Sequence, residues 1–73
     1  MINPKLYSLL KVAETGGFTR AAELLSISQP SVSAHIRQLE EELRERLFLR
    51  TTKSLAVTPG GRELYEYAAH TLA

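Results

Sequence analysis

The chain has 73 residues, 44% of them apolar, with nine basic and eight acidic side chains and a formal charge of +1. One domain is all this length supports, near the lower limit at which a single hydrophobic core holds a fold without staples. There is no cysteine, hence no disulfide framework and no thiolate metal site. No apolar run nears the ~18 residues of a membrane span, and Met1-Ile2-Asn3-Pro4 is not a signal-peptide start. A cytoplasmic protein is expected, with no role at a membrane. The near-neutral total hides an asymmetry. Arg44, Arg46, Arg50, Lys53 and Arg62 face only Glu45 in their stretch, directly after the block Glu40-Glu41-Glu42. One end of the molecule can meet phosphates while another cannot.

Asn3-Pro4 pairs an N-cap with a proline in the first helical turn, where its missing N–H is harmless. Leu6, Leu9, Leu10 and Ala13 then recur at helical spacing, and Gly16-Gly17 supplies a left-handed exit, so a first helix is predicted over residues 4–14. Thr19 is the expected N-cap of a second helix with Ala21, Ala22 and Leu25 inward; small alanines permit close approach of another helix. Phe18 is expected in the core beneath both. Ser26-Ile27 must turn the chain, and Ser26 in a left-handed conformation would carry modest strain where glycine would carry none.

Ser28 caps the third helix, and Pro30 sits in its first turn. Val32, Ile36, Leu39 and Leu43 form its buried stripe, leaving Pro30, Ser33, Ala34, Arg37 and Gln38 on the exposed side. A short helix, a tight turn and a longer helix with a polar front together describe a helix-turn-helix, whose second helix projects into the major groove of DNA. Beyond Leu47-Phe48-Leu49, the segment Arg50 to Val57 predicts a two-stranded hairpin turning near Lys53-Ser54. Thr58-Pro59 starts a last helix with Leu64, Tyr65, Ala68 and Leu72 on one face. No stop signal ends that helix, so the chain is expected to be part of a longer protein.

Gly17-Phe18-Thr19-Arg20-Ala21-Ala22 with Leu25, then Ser28-Gln29-Pro30-Ser31-Val32-Ser33 and Ile36-Arg37-Gln38-Leu39-Glu40, closely resemble the LysR-type transcriptional regulators. Leu47-Phe48 with Arg50, and Thr58-Pro59-Gly60-Gly61, resemble the same family, so the likeness runs along almost the whole chain. It implies a mainly α fold with a small β-hairpin: a bacterial winged helix-turn-helix over residues 1–58, followed by the start of a linker helix over 59–73. The recognition helix would occupy about 28–43 and the wing about 49–57. The resemblance places Gln29, Pro30 and Ser33 at base edges, Thr19 and Arg20 at phosphates, and Arg50 and Lys53 in the wing. Ser31 and Arg37 are expected at the DNA backbone too. Chemistry agrees: glutamine can pair with adenine N6 and N7, and serine can donate or accept. Many relatives carry arginine or lysine where this chain has Ala34; that removes a guanine contact but leaves a methyl able to pack on thymine. The resemblance further implies a homodimer, or a tetramer in the full-length parent, on an inverted-repeat double-stranded operator. Leu64, Tyr65, Ala68 and Leu72 would lie at the subunit contact, and the effector-binding domain would lie outside this chain. No cofactor is expected in these residues, any small-molecule effector being bound by that other domain.

Other readings compete at several positions. Arg50 and Lys53 could simply solubilise a hairpin, although a wing favours phosphate or minor-groove contact. Arg44 and Arg46 are expected to balance the acidic block through Glu40–Arg44 and Glu42–Arg46 pairs. His35 flanks the buried stripe, where it either packs or reaches a phosphate, and neither it nor His70 has the neighbours of a metal ligand. Tyr65, Tyr67 and Leu72 could fold onto their own core, though a partner helix is the better fit, and Tyr7 could pack there as well. A helical protein-interaction module is the alternative function, and the polar front from Gln29 to Arg37 argues against it because it lacks aromatic anchors. An enzyme is not expected: the chain offers no cysteine, aspartate or glycine-rich phosphate loop around which to build a catalytic constellation.

Overall fold

The computed structural model describes residues 3–50 and 54–72. Four helices and two short strands follow in the order α1 (Pro4–Thr15), α2 (Phe18–Leu25), α3 (Gln29–Leu43), β1 (Phe48–Arg50), β2 (Leu55–Val57) and α4 (Pro59–Thr71). Three helix starts obey the same local rule. Asn3 Oδ1 accepts from Lys5 N at 2.9 Å, Ser28 Oγ from Ser31 N at 3.2 Å, and Thr58 Oγ1 from Gly61 N at 3.0 Å, each with a proline in the first turn. Each bond satisfies an amide that the helix itself leaves unpaired.

The second helix starts differently from expectation. Gly17 is its N-cap, Phe18 opens it, and Thr19 lies exposed in its first turn. The side-chain oxygen at this corner comes from the preceding helix instead: Thr15 Oγ1 accepts from Gly17 N at 3.3 Å. Gly16, at φ 78°, makes the left-handed exit from α1. Ser26 ends α2 at φ 58° and ψ 39°, and its amide bonds back to Ala22 and Glu23 carbonyls. The strain foreseen there is present.

Helices α1, α2 and α3 pack on one another around Leu9, Val12, Ala21, Ala22, Val32, Ile36 and Leu39, with Leu47 and Phe48 closing the cluster from the start of the hairpin. Leu43 does not join the stripe; it is 50% exposed. It is the last residue of α3, outside the buried cluster, and Arg44 turns the chain away at φ 54°. The left-handed turn at Arg44 also removes the helical frame for the two expected pairs. Glu40 instead meets Arg46 at 3.7 Å, and Glu42 reaches Lys5 of α1 at 2.8 Å.

The strands pair antiparallel, with Phe48 opposite Val57, Leu49 opposite Ala56 and Arg50 opposite Leu55. The expected hairpin is present, but its first strand begins at Phe48, two residues before the expected start at Arg50. Its connection near Lys53 falls outside the described residues. Glu40 Oε2 anchors its first strand to α3 by accepting from Leu47 N at 2.8 Å and, more weakly, from Phe48 N at 3.5 Å. Thr58 anchors the other side, its amide donating to Leu47 O at 3.0 Å and its hydroxyl to Arg46 O at 2.6 Å. Helix α4 then lies against α1 and β2. Gly61, in its first turn, is buried, and any Cβ there would run into the Leu47 carbonyl.

Candidate nucleic-acid interface

The front of α3 follows from its inner stripe. With Val32, Ile36 and Leu39 turned to the core, Gln29, Pro30, Ser33, Ala34 and Arg37 fall around the other side. Pro30 and Arg37 are exposed, and Gln29, Ser33 and Ala34 are half-buried. Gln29 Nε2 donates to Ser33 Oγ at 3.0 Å, one helical turn away. That bond engages one amide N–H and leaves the second N–H and Oε1 open, the donor and acceptor that an adenine edge matches. Ser31 is drawn into the cap, its hydroxyl 2.8 Å from that of Ser28.

Charge is distributed unevenly around this front. Arg20 sits on α2 beside Glu23 at 3.6 Å, both well exposed, so its charge is partly offset locally. Lys5, Lys11 and Arg46 also have carboxylate partners. Among the described residues, Arg37, Arg44, Arg50 and Arg62 have none. Two of these four, Arg37 and Arg50, line one open groove of about 330 Å³ between α3 and the wing, together with Ser33, Phe18 and Arg46. Glu40 is the groove's acid, and its oxygen is already engaged by the Leu47 amide. The groove thus carries net positive charge next to a helix front rich in hydrogen-bonding groups, a combination suited to a polyanion with readable edges.

Other predicted site residues lie elsewhere. Lys53 is outside the described residues. Ala68 is 0% exposed and Leu64 packs against the core, so both are covered by their own chain, whereas Tyr65 and Leu72 remain half-exposed. Tyr67, at 58% exposure, is the most open aromatic of α4. His35 is tied to α1: its Nδ1 lies 2.7 Å from the hydroxyl of Ser8, a fully buried residue. The part of the groove that the sequence concealed is Phe18. Its ring underlies the Arg50 guanidinium at 4.1 Å and meets Phe48 edge-on. The alternation of a strand, which puts Phe48 and Arg50 on one face, is the signal that could have found it.

The helix pair α2–α3 joined at Ser26, with a hairpin beside the second helix, defines a winged helix-turn-helix. Residues 5–62 match the family model described as bacterial regulatory helix-turn-helix protein, lysR family. The chain belongs to that family. The HTH-type transcriptional regulator CysL of Bacillus subtilis (strain 168) is 48% identical over 63 residues, which cover 86% of this chain and 21% of that protein. Among solved structures, the BenM DBD in its catB site 1 DNA complex superimposes with a TM-score of 0.91 at 39% identity, covering 99% of this chain and 80% of that one. The CbnR DBD in its DNA complex gives 0.90 at 30% identity, covering 99% and 83%. The chain spans 19% to 43% of the length of the first three regulators it matches, CysL among them.

Proposed function

We propose that this chain is the sequence-specific, double-stranded DNA-binding part of a bacterial transcriptional regulator. Helix α3 enters the major groove, and the wing follows the backbone or minor groove alongside. The observation that carries this reading is the pairing of an open Gln29–Ser33 front with two arginines that have no carboxylate partner among the described residues, Arg37 and Arg50, in the adjoining groove. Family membership supports it, as do the DNA complexes of BenM and CbnR, whose folds this chain shares. Affinity comes mostly from phosphates, through Arg37, Arg50 and Lys53, with Thr19, Arg20 and Ser31 at the edges. Discrimination comes from Gln29, Ser33 and the flanking Pro30 and Ala34. Two copies, joined through the open side of α4 at Tyr65 and Leu72, place two α3 helices in successive major grooves of an inverted repeat. The regulator acts in the cytoplasm and catalyses no reaction. Its effector is sensed by a part of the parent protein other than these residues.

Fluorescence anisotropy with a labelled duplex pool, enriched from random sequences and followed across a salt series, tests the proposal. Gln29→Ala should relax preference at one base, while Arg50→Ala should weaken binding to all duplexes and lower the salt slope by about one unit. A wild-type chain that is folded and dimeric yet binds no duplex at low salt would instead favour an assembly module.

A further inference from the structure

Arg50 does not extend freely from the wing. Its guanidinium carbon lies 4.1 Å from the centroid of the Phe18 ring. Phe18 in turn is held by an edge-on contact with Phe48, the centroids 6.2 Å apart and the planes at 71°. Phe48 belongs to the buried core, so the stack rests on that core and joins the first turn of α2 to β1. A guanidinium held over an aromatic ring is attracted by the ring's electrons and need not spend all its N–H donors on that contact. Among the described residues no carboxylate competes for them. Ser33 and Arg37 of α3 line the same groove.

We propose that Phe18 is a positioning residue for DNA binding: it holds the Arg50 guanidinium, ahead of binding, where its N–H edge meets a backbone phosphate beside α3. This rests on the DNA-binding role proposed above. The benefit lies in ordering. The stack is the same before and after binding, so its own attraction cancels. What remains is the immobilisation of a long, rotamer-rich side chain, already accomplished in the free protein and worth about two- to twelve-fold in affinity. Leucine at position 18 would keep the core filled and offer no aromatic face.

The test is a double-mutant cycle on the enriched duplex, with Phe18→Leu, Arg50→Ala and the two combined, alongside Phe18→Tyr and thermal melts of each. Phe18→Leu should weaken binding about two- to twelve-fold when Arg50 is present and have no effect once it is alanine. Phe18→Tyr, which keeps the ring face, should bind as the wild type does. An equal loss in both backgrounds would reduce Phe18 to a core residue and overturn the proposal. A second readout needs no substitution: in the free protein the Arg50 Nε–H resonance should be shifted upfield by the ring and show a cross-peak to Phe18 ring protons. Its absence would also refute the role. Should the upfield resonance be present while the wild type binds no duplex, the role falls with the DNA-binding function and the stack survives as a structural contact.

Discussion

Arg44 occupies backbone space that suits glycine. At φ 54° and ψ 45° it turns the chain out of α3 in the left-handed region, as Gly16 does after α1 at φ 78°. A residue with a Cβ carries a penalty there of about 1–2 kcal/mol, which glycine escapes while losing more freedom on folding. Arg44→Gly should therefore stabilise the fold by roughly 0.5–1 kcal/mol, raising the melting midpoint by about 2–8 °C in a domain of this size. A lower midpoint would mean that the arginine makes contacts strong enough to offset its strain. The two adjacent glycines of α4 are likewise unequal. A Cβ at Gly60 would meet the flexible carboxyl end of Glu45, which can swing aside, whereas at Gly61 it would meet the Leu47 backbone. Calorimetric melts should find Gly60→Ala tolerated and Gly61→Ala destabilised by about 1–3 kcal/mol.

Between elements, the junction of α3 with the wing depends on one carboxylate. Glu40 is the acceptor for the first amides of the hairpin, and Arg46 lies beside it. Glu40→Ala should cost about 1–3 kcal/mol and speed hydrogen exchange at the Leu47 amide, while Glu40→Gln, which keeps an oxygen in place, should lose less. Unchanged protection at Leu47 in the alanine variant would show that the wing is held elsewhere. This junction was hidden in the sequence, where Glu40 belonged to an acidic block with helical partners four residues on. Caps and prolines are local, so the starts at Asn3-Pro4, Ser28 and Thr58-Pro59 were legible, as was the polar front of α3 with its Gln29 and Ser33. The exposure of Leu43 is not local, because that residue counts as buried only if something lies beyond Leu39 to cover it. Phe18 illustrates the same limit: nothing near it in the chain announces an arginine from the wing. Thr19 was misplaced as a cap because Thr15, on the preceding helix, already serves that corner.

Across the whole molecule, electrostatics and packing have separate tasks. The four side-chain ion pairs among the described residues are all at least partly exposed, and such pairs contribute little and are screened by salt. The fold rests on the cluster around Leu9, Val12 and Val32, each fully buried. Melting midpoints taken from about 50 to 500 mM sodium chloride should move by only a few degrees, because screening removes only small contributions. Over the same range, affinity for duplex DNA should fall by orders of magnitude. A midpoint that fell in parallel with affinity would put the arginines in charge of stability too. The same division runs along a single helix. On α3 the positions that hold the body together, Val32, Ile36 and Leu39, are never those that face outward, Gln29, Ser33, Ala34 and Arg37. Under the DNA-binding role proposed above, a substitution at an outward position should alter the sequence recognised and leave the melting point nearly where it was. If those positions read DNA as proposed, descendants of this chain would part ways in what they recognise while inheriting one body, with no unfolded ancestor between them.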